Sequence, residues 1–190
     1  YIVNNCEAKA LVFTAPWADK VTEIRNAIPQ VKNCYVVGDA AQGAYDNWEK
    51  ALAAFPVTPI ADESEGREML YSSGTTGRPK GILRPLPHNP PSEPLPLFHF
   101  LHKLWRYRED MIYLSPAPLY HSAPNAAVSL TLGVGGTVIV MEHFDPEQYL
   151  SLIEKYKVTH SQLVPTMLSR LLKLPPELRN KYDRATLEIA

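Results

Sequence analysis

The stretch Tyr71-Ser72-Ser73-Gly74-Thr75-Thr76-Gly77-Arg78-Pro79-Lys80-Gly81-Ile82 gathers three glycines, four hydroxyl side chains and one lysine directly after the short apolar run Met69-Leu70-Tyr71. Glycine has no Cβ, so backbone of this kind turns sharply and can present successive N–H groups to one bulky anion. The hydroxyls of Ser72, Ser73, Thr75 and Thr76 add donors, and Lys80 adds a mobile point charge able to follow a phosphate as it leaves. The chemistry suited to this set is polyphosphate binding. The ordinary P-loop fits poorly, since it needs four residues between its glycine and Gly-Lys, and a Ser or Thr after the lysine. Only two residues separate Gly74 from Gly77, Lys80 follows Arg78-Pro79, and Gly81 stands where the metal-binding hydroxyl would be. Pro79 also has no N–H to give to a helix running through the loop. On residue types alone, a Gly/Thr-rich surface turn beside a strand is the plainer reading.

A second group of residues follows the apolar run Met111-Ile112-Tyr113-Leu114: Ser115-Pro116-Ala117-Pro118-Leu119-Tyr120-His121-Ser122-Ala123-Pro124. A lone loop histidine is more often structural than reactive. His121 stands about forty residues after Lys80, and the small side chains Ala123, Ala126, Ala127 and Ser129 come next. Other chemistry-bearing residues read more simply. His99 and His102 are three apart and could share a metal on one helix face, but no third ligand lies near them. Asp62, Glu63 and Glu65 are spread along a loop and read as solvated charges. Trp17 and Trp48 read as helix-on-sheet packing.

The string from Tyr71 to Gly81 resembles, at every position, the phosphate-binding signature of the adenylate-forming superfamily, Tyr/Phe-Thr/Ser-Ser-Gly-Ser/Thr-Thr-Gly-x-Pro-Lys-Gly. That superfamily comprises acyl-CoA synthetases, nonribosomal peptide adenylation domains and firefly luciferases. Pro118-Leu119-Tyr120-His121 resembles its Pro-Leu-aromatic-His stretch at a similar distance from the loop, and Val164-Pro165-Thr166 looks like a stretch it places near substrate. The opening run from Tyr1 to Phe13 looks like its first sheet.

The resemblance implies a fragment of an acyl-CoA synthetase of the fatty-acid–CoA ligase type. Its reaction has two steps: a carboxylic acid and ATP give acyl-AMP and pyrophosphate, then coenzyme A displaces AMP. It further implies that Ser72, Ser73, Gly74, Thr75, Thr76, Gly77 and Lys80 hold the ATP phosphates, with Thr76 towards Mg²⁺. Lys80 and His121 are implied as catalytic, and His121, Ser122, Ala123, Asn125 and Thr166 as lining the acyl site. The later motifs for adenine, ribose, the hinge and the C-terminal lysine are expected beyond Ala190, so this stretch is not expected to turn over by itself. The alternative is a non-catalytic nucleotide- or phosphate-binding fragment, or an interaction fragment.

The elements that must position these residues follow from the pattern of the rest. The chain has 190 residues, 45% of them apolar, and a formal net charge of −1, so no basic field argues for nucleic acid. No apolar run is long enough for a membrane span, and Cys6 and Cys34 read as reduced thiols of a cytoplasmic protein. Strand and helix patterns alternate, which predicts an α/β fold with a mainly parallel sheet flanked by helices and cut at both ends. The pattern divides into a first α/β portion at 1–67, a phosphate-loop hairpin at 68–83, a proline-rich connection at 84–96 and a second α/β portion at 97–190.

Strands are expected at 10–13, 34–37, 69–71, 111–114, 137–141 and 159–164. The β-branched run Thr137-Val138-Ile139-Val140-Met141 is the one expected to be most buried. Helices are expected at 17–28, 44–55, 97–105, 125–132, 146–156 and 165–172. Their apolar faces include Val21, Ile24 and Ile28 in the first and Trp48, Leu52 and Phe55 in the second. Both cut ends are expected to leave apolar surface exposed and to favour self-association.

Overall fold

A computed structural model describes residues 1–38, 45–73, 77–93 and 96–190. It forms two compact units, Tyr1–Pro91 and Ser92–Ala190, divided along the chain within the proline-rich stretch. Parallel pairing flanked by helices recurs in both, as the alternation of patterns predicts.

In the first unit a short helix α1 (Ile2–Asn5) leads into β1 (Ala10–Thr14), helix α2 (Ala18–Ile24), β2 (Asn33–Val37), β3 (Asp46–Asn47) and helix α3 (Trp48–Ala53). The strands pair in parallel in the order β1-β2-β3. Phe13, Val21, Ile28, Val31, Cys34 and Val36 form the core, with the Tyr45 ring set edge-on to Phe13 at 4.9 Å. The helix expected at 17–28 is shorter, because its ends tighten into 3₁₀ turns at Ala15–Trp17 and Arg25–Ala27. Of the three residues expected on its apolar face, Val21 and Ile28 are buried and Ile24 is exposed.

Two further features of this unit depart from the expectations. β3 was not anticipated: two polar residues form it by pairing with Tyr35 and Val36, an arrangement no local pattern announces. Trp17, Leu52 and Phe55 are exposed rather than packed, whereas Trp48 does meet Tyr35 edge-on at 5.5 Å. Cys6 and Cys34 are both free thiols, in agreement with their reading as reduced.

The unit ends in an antiparallel hairpin, β4 (Leu70–Ser72) and β5 (Lys80–Ile82), in the register Leu70↔Ile82, Tyr71↔Gly81, Ser72↔Lys80.

The second unit contains α4 (Pro96–Leu104), β6 (Ile112–Ser115), α5 (Ser122–Gly133), β7 (Thr137–Val140), α6 (Pro146–Tyr156), β8 (His160–Ser161), α7 (Pro165–Leu172) and the short α8 (Pro176–Arg179). Its sheet is parallel in the order β7-β6-β8. The period-two alternation of β6 divides the core between two faces. Met111 and Tyr113 pack with Ala127 of α5, while Ile112 and Leu114 pack with Tyr149, Leu150 and Ile153 of α6. Asp145 caps α6 by accepting a hydrogen bond from the Gln148 N–H at 2.8 Å, with Pro146 at the first helical position, as their order predicts.

Here too the structure departs from the expectations. β7 is an edge strand with Val140 53% exposed, not the most buried strand, because β6 takes the centre. α5 begins three residues early at Ser122 and runs through Gly133, and the turn falls at Gly135 with φ +81°. The strand expected at 159–164 is ordered as a ladder only at His160–Ser161. Among the described residues no helix is long and apolar enough to cross a membrane.

Candidate functional site

In the first unit the hairpin brings Ser72 and Lys80 opposite each other, so the two ends of the glycine-rich loop start side by side on one face of the ribbon. Both side chains are exposed, as are Ser73 and Gly77. Gly77 has φ +85°, a left-handed conformation that glycine adopts without steric cost. Gly74, Thr75 and Thr76, which carry much of the expected phosphate contact and the expected Mg²⁺ ligand, lie outside the described residues.

The hairpin is tethered at its root. The Tyr71 hydroxyl donates to Asn5 Oδ1 of α1 at 2.6 Å, and the Arg78 guanidinium lies 5.9 Å from the centre of the Tyr1 ring. The arrangement offers hydroxyl donors and one ammonium at the mouth of a turn, which suits an anion.

In the second unit His121 occupies the N-cap of α5 with an extended backbone. Its side chain makes no capping hydrogen bond; the ring is exposed and lies against Tyr120 at 4.5 Å between centres. Ser122 and Asn125 belong to the first turn of the same helix, and the Asn125 N–H bonds the His121 carbonyl at 3.1 Å. The N-terminal end of a twelve-residue helix favours negative charge, so a carboxylate is stabilised where His121 and Ser122 stand. Thr166 is exposed in the first turn of α7 and does not line the cavity described next.

From that helix end a cavity of about 180 Å³ follows one stripe of α5: Ala123, Ala126, Ala127 and Leu130, spaced at i, i+3, i+4 and i+7. Leu101 of α4 and Trp105, just past its end, line it from one side, and Tyr107, Tyr113 and Gln162 complete the wall. Ser129, expected to leave room, points elsewhere. The end of α4 explains how Trp105 and Tyr107 both reach the cavity. Arg106 takes the left-handed conformation at φ 53°, and the Tyr107 N–H then bonds the His102 carbonyl at 3.0 Å, which closes the helix and reverses the chain.

His102 stacks on Tyr107 with ring centres 5.8 Å apart. His102 is held below the usual imidazole range by burial and, secondarily, by nearby His99. His160, 2% exposed, secures the same segment: its Nε2 lies 2.9 Å from the Trp105 carbonyl and its Nδ1 2.8 Å from Thr159 Oγ1. Burial pushes the Tyr113 and Tyr107 phenols up, so both stay protonated near neutrality. Tyr107, Tyr113 and Gln162 were not singled out from the sequence. Nothing in their local pattern distinguishes a cavity wall from ordinary packing.

Among the described residues no group of three His, Cys, Asp or Glu side chains is placed to hold a metal ion, which leaves His99 and His102 without a third ligand.

Comparison with known proteins places these features in context. The family model described as "AMP-binding enzyme" matches residues 1–189. The chain is 34% identical, over 65% of its length and 22% of the relative's, to 4-coumarate–CoA ligase-like 6 of Arabidopsis thaliana. It is 29% identical to 4-coumarate–CoA ligase 1 of Petroselinum crispum over 95% of its length and 33% of the relative's. Its fold matches that of the anthranilate CoA ligase AuaEII, solved in complex with anthranoyl-AMP. The TM-score is 0.76 over 98% of this chain and 36% of that one, at 24% identity. The chain thus spans 22% to 33% of the length of these two relatives.

Proposed function

The chain belongs to the AMP-binding enzyme family, and from that premise we propose that the whole protein is an ATP-dependent carboxylic acid–CoA ligase, of which this stretch supplies the phosphate grip and part of the acyl site. A carboxylate oxygen attacks the α-phosphorus of ATP, the α–β bridging bond breaks, and pyrophosphate leaves. The thiolate of coenzyme A then attacks the acyl carbonyl and AMP departs.

The observation that carries this reading is the Ser72↔Lys80 pairing at the mouth of the glycine-rich loop. Lys80, with the hydroxyls and N–H groups of Ser72, Ser73, Gly74, Thr75, Thr76 and Gly77, neutralises charge that grows on the pyrophosphate as the bond breaks. Donors set in place beforehand act most strongly on that developing charge. In the other unit the α5 N-terminus with His121, Ser122 and Asn125 receives the acid's carboxylate, and its tail runs along Ala123 into the cavity. Thr166, exposed at the start of α7 and outside that cavity, is kept in the acyl site on the resemblance of Val164-Pro165-Thr166 alone.

Mg²⁺ keeps several waters and binds through substrate phosphates with few protein carboxylates. Thr76 would stand beside a Mg²⁺ ion carried in with ATP, which would supply screening of the repulsion between the carboxylate and the α-phosphate. A ligase drawing on ATP and coenzyme A is assigned to the cytoplasm.

The test is carboxylate-dependent exchange of labelled pyrophosphate into ATP by the full-length protein. Exchange that requires an added acid supports the ligase. Release of inorganic phosphate with no acid dependence would instead make the loop part of an NTPase.

A further inference from the structure

The run Arg84-Pro85-Leu86-Pro87-His88-Asn89-Pro90, separated from β5 by Leu83 alone, takes no part in the phosphate grip or the acyl site. Proline fixes its own φ near −65° and drives the residue before it towards extended backbone. Pro85, Pro87 and Pro90 are restrained in the first way and Arg84, Leu86 and Asn89 in the second, so His88 alone escapes both. The conformation these restraints select is the polyproline II helix, with three residues per turn and a rise of about 3.1 Å per residue.

The structure leaves this run open. Residues 83–88 lie in neither helix nor strand. Arg84, Pro85, His88, Asn89 and Pro90 are exposed, Leu86 is 64% exposed, and Pro87 is partly buried. Among the described residues, the one backbone hydrogen bond to the rest of the unit is from the Glu65 N–H to the Asn89 carbonyl at 3.0 Å, where the chain bends. The carbonyls of 84–88 accept no hydrogen bond from the described residues. Arg84 meets Glu68 at 3.7 Å with both side chains about two-fifths exposed, a surface pair that other carboxylates can readily replace. A stiff spacer would account for the prolines, but it needs neither an exposed leucine nor an arginine at its start.

We propose that residues 84–90 are a docking segment for a protein domain whose groove is lined by aromatic rings and bordered by carboxylates, as in SH3 domains. With three residues per turn, Arg84, Pro87 and Pro90 share one edge, about 19 Å from first to last. Leu86-Pro87 and Asn89-Pro90 fill two successive slots between the partner's rings. Arg84 reaches its carboxylates in a charge-assisted contact, and the free carbonyls accept from Trp N–H and Tyr O–H groups in the groove. Pro85 and His88 lie on the remaining edge and face away. Docking straightens the chain at Asn89 and opens its one bond to Glu65.

The probe is an isolated SH3 domain of the class that takes Arg-x-x-Pro-x-x-Pro ligands, immobilised for surface plasmon resonance with the full-length protein as analyte. Saturable binding is expected. Arg84→Ala is expected to weaken it about tenfold or more, the size of one charge-assisted contact. Pro87→Ala is expected to weaken it clearly, and His88→Ala to leave it unchanged. Carboxylate-dependent pyrophosphate exchange is expected to be the same in Arg84→Ala as in wild type, which keeps this surface separate from the ligase reading. Absence of saturable binding by the wild-type protein would overturn the proposal. So would binding that Arg84→Ala and Pro87→Ala leave intact, or a loss in His88→Ala equal to that in Pro87→Ala.

Discussion

Tyr71 lies directly across the hairpin from Gly81, and its ring fills the space a side chain at position 81 would need. A Cβ built on Gly81 would sit 3.0 Å from the Tyr71 Cζ and also collide with the Met69 methyl. Since the Tyr71 hydroxyl is bonded to Asn5, the ring cannot swing away without breaking the tether between hairpin and α1.

Gly81→Ala is therefore expected to destabilise the first unit by about 1–3 kcal/mol, the usual range for overpacking a fitted site. Urea unfolding monitored by tyrosine and tryptophan signals would measure it. A midpoint unchanged from wild type would mean that Met69 and Tyr71 move aside freely. The same contact explains why glycine is needed at that step of the motif: the strand's close approach to the ring requires it, apart from any phosphate.

His160 makes stability depend on pH. Burial, the larger cause, holds its pKa below the ordinary 6.5, against the Trp105 carbonyl, which favours the proton. Arg108 pushes the same way as burial, while Glu188 and Asp110 oppose it. The folded pKa is the lower one, so the unfolded chain takes up the proton first as pH falls. Stability is full above the unfolded value near 6.5 and declines as pH drops through the lowered folded value. Urea midpoints from pH 7.5 down to about 5 should fall for wild type more steeply than for His160→Gln, whose amide can still donate to Trp105. Parallel slopes would show that His160 titrates alike in both states.

The glycine-rich hairpin and the Asp145-Pro146 helix start were legible in the sequence because short-range chemistry decides both. A run of turn residues between two short apolar stretches specifies a hairpin, and a capping carboxylate before proline specifies a helix entry. The edge position of β7 was not legible. A β-branched run such as Thr137–Val140 reads the same at the edge as at the centre, and only pairing partners tell them apart. β3 and the Gln162 corner were hidden for the same reason: their roles come from contacts distant in the chain. The aromatic wall was half visible. Leu101 and Trp105 fell on one expected helix face, but Tyr107 reaches the cavity only through the left-handed turn at Arg106.

His121 should affect the acid more than the nucleotide, since it caps α5 beside the start of the cavity and makes no capping bond that its loss would break. His121→Ala is expected to impair carboxylate use and acyl transfer by about tenfold or more, the size of one lost contact to a carboxylate, while ATP affinity changes little. Steady-state kinetics with acid and ATP varied separately would show it. A rise confined to the KM for ATP would assign His121 to the nucleotide instead.

The central claim is that the loop between Ser72 and Lys80 grips the departing pyrophosphate. Charge-assisted contacts of that kind contribute about 1.5–3 kcal/mol each, so Lys80→Ala should slow adenylation by about tenfold to a hundredfold. Thioester formation from preformed acyl-AMP has no pyrophosphate to hold and should be largely spared. The direct measurement is single-turnover kinetics of both half-reactions in full-length Lys80→Ala, with folding checked by circular dichroism. Loss in adenylation alone is the predicted result, and equal loss in both half-reactions with the fold intact would contradict the account.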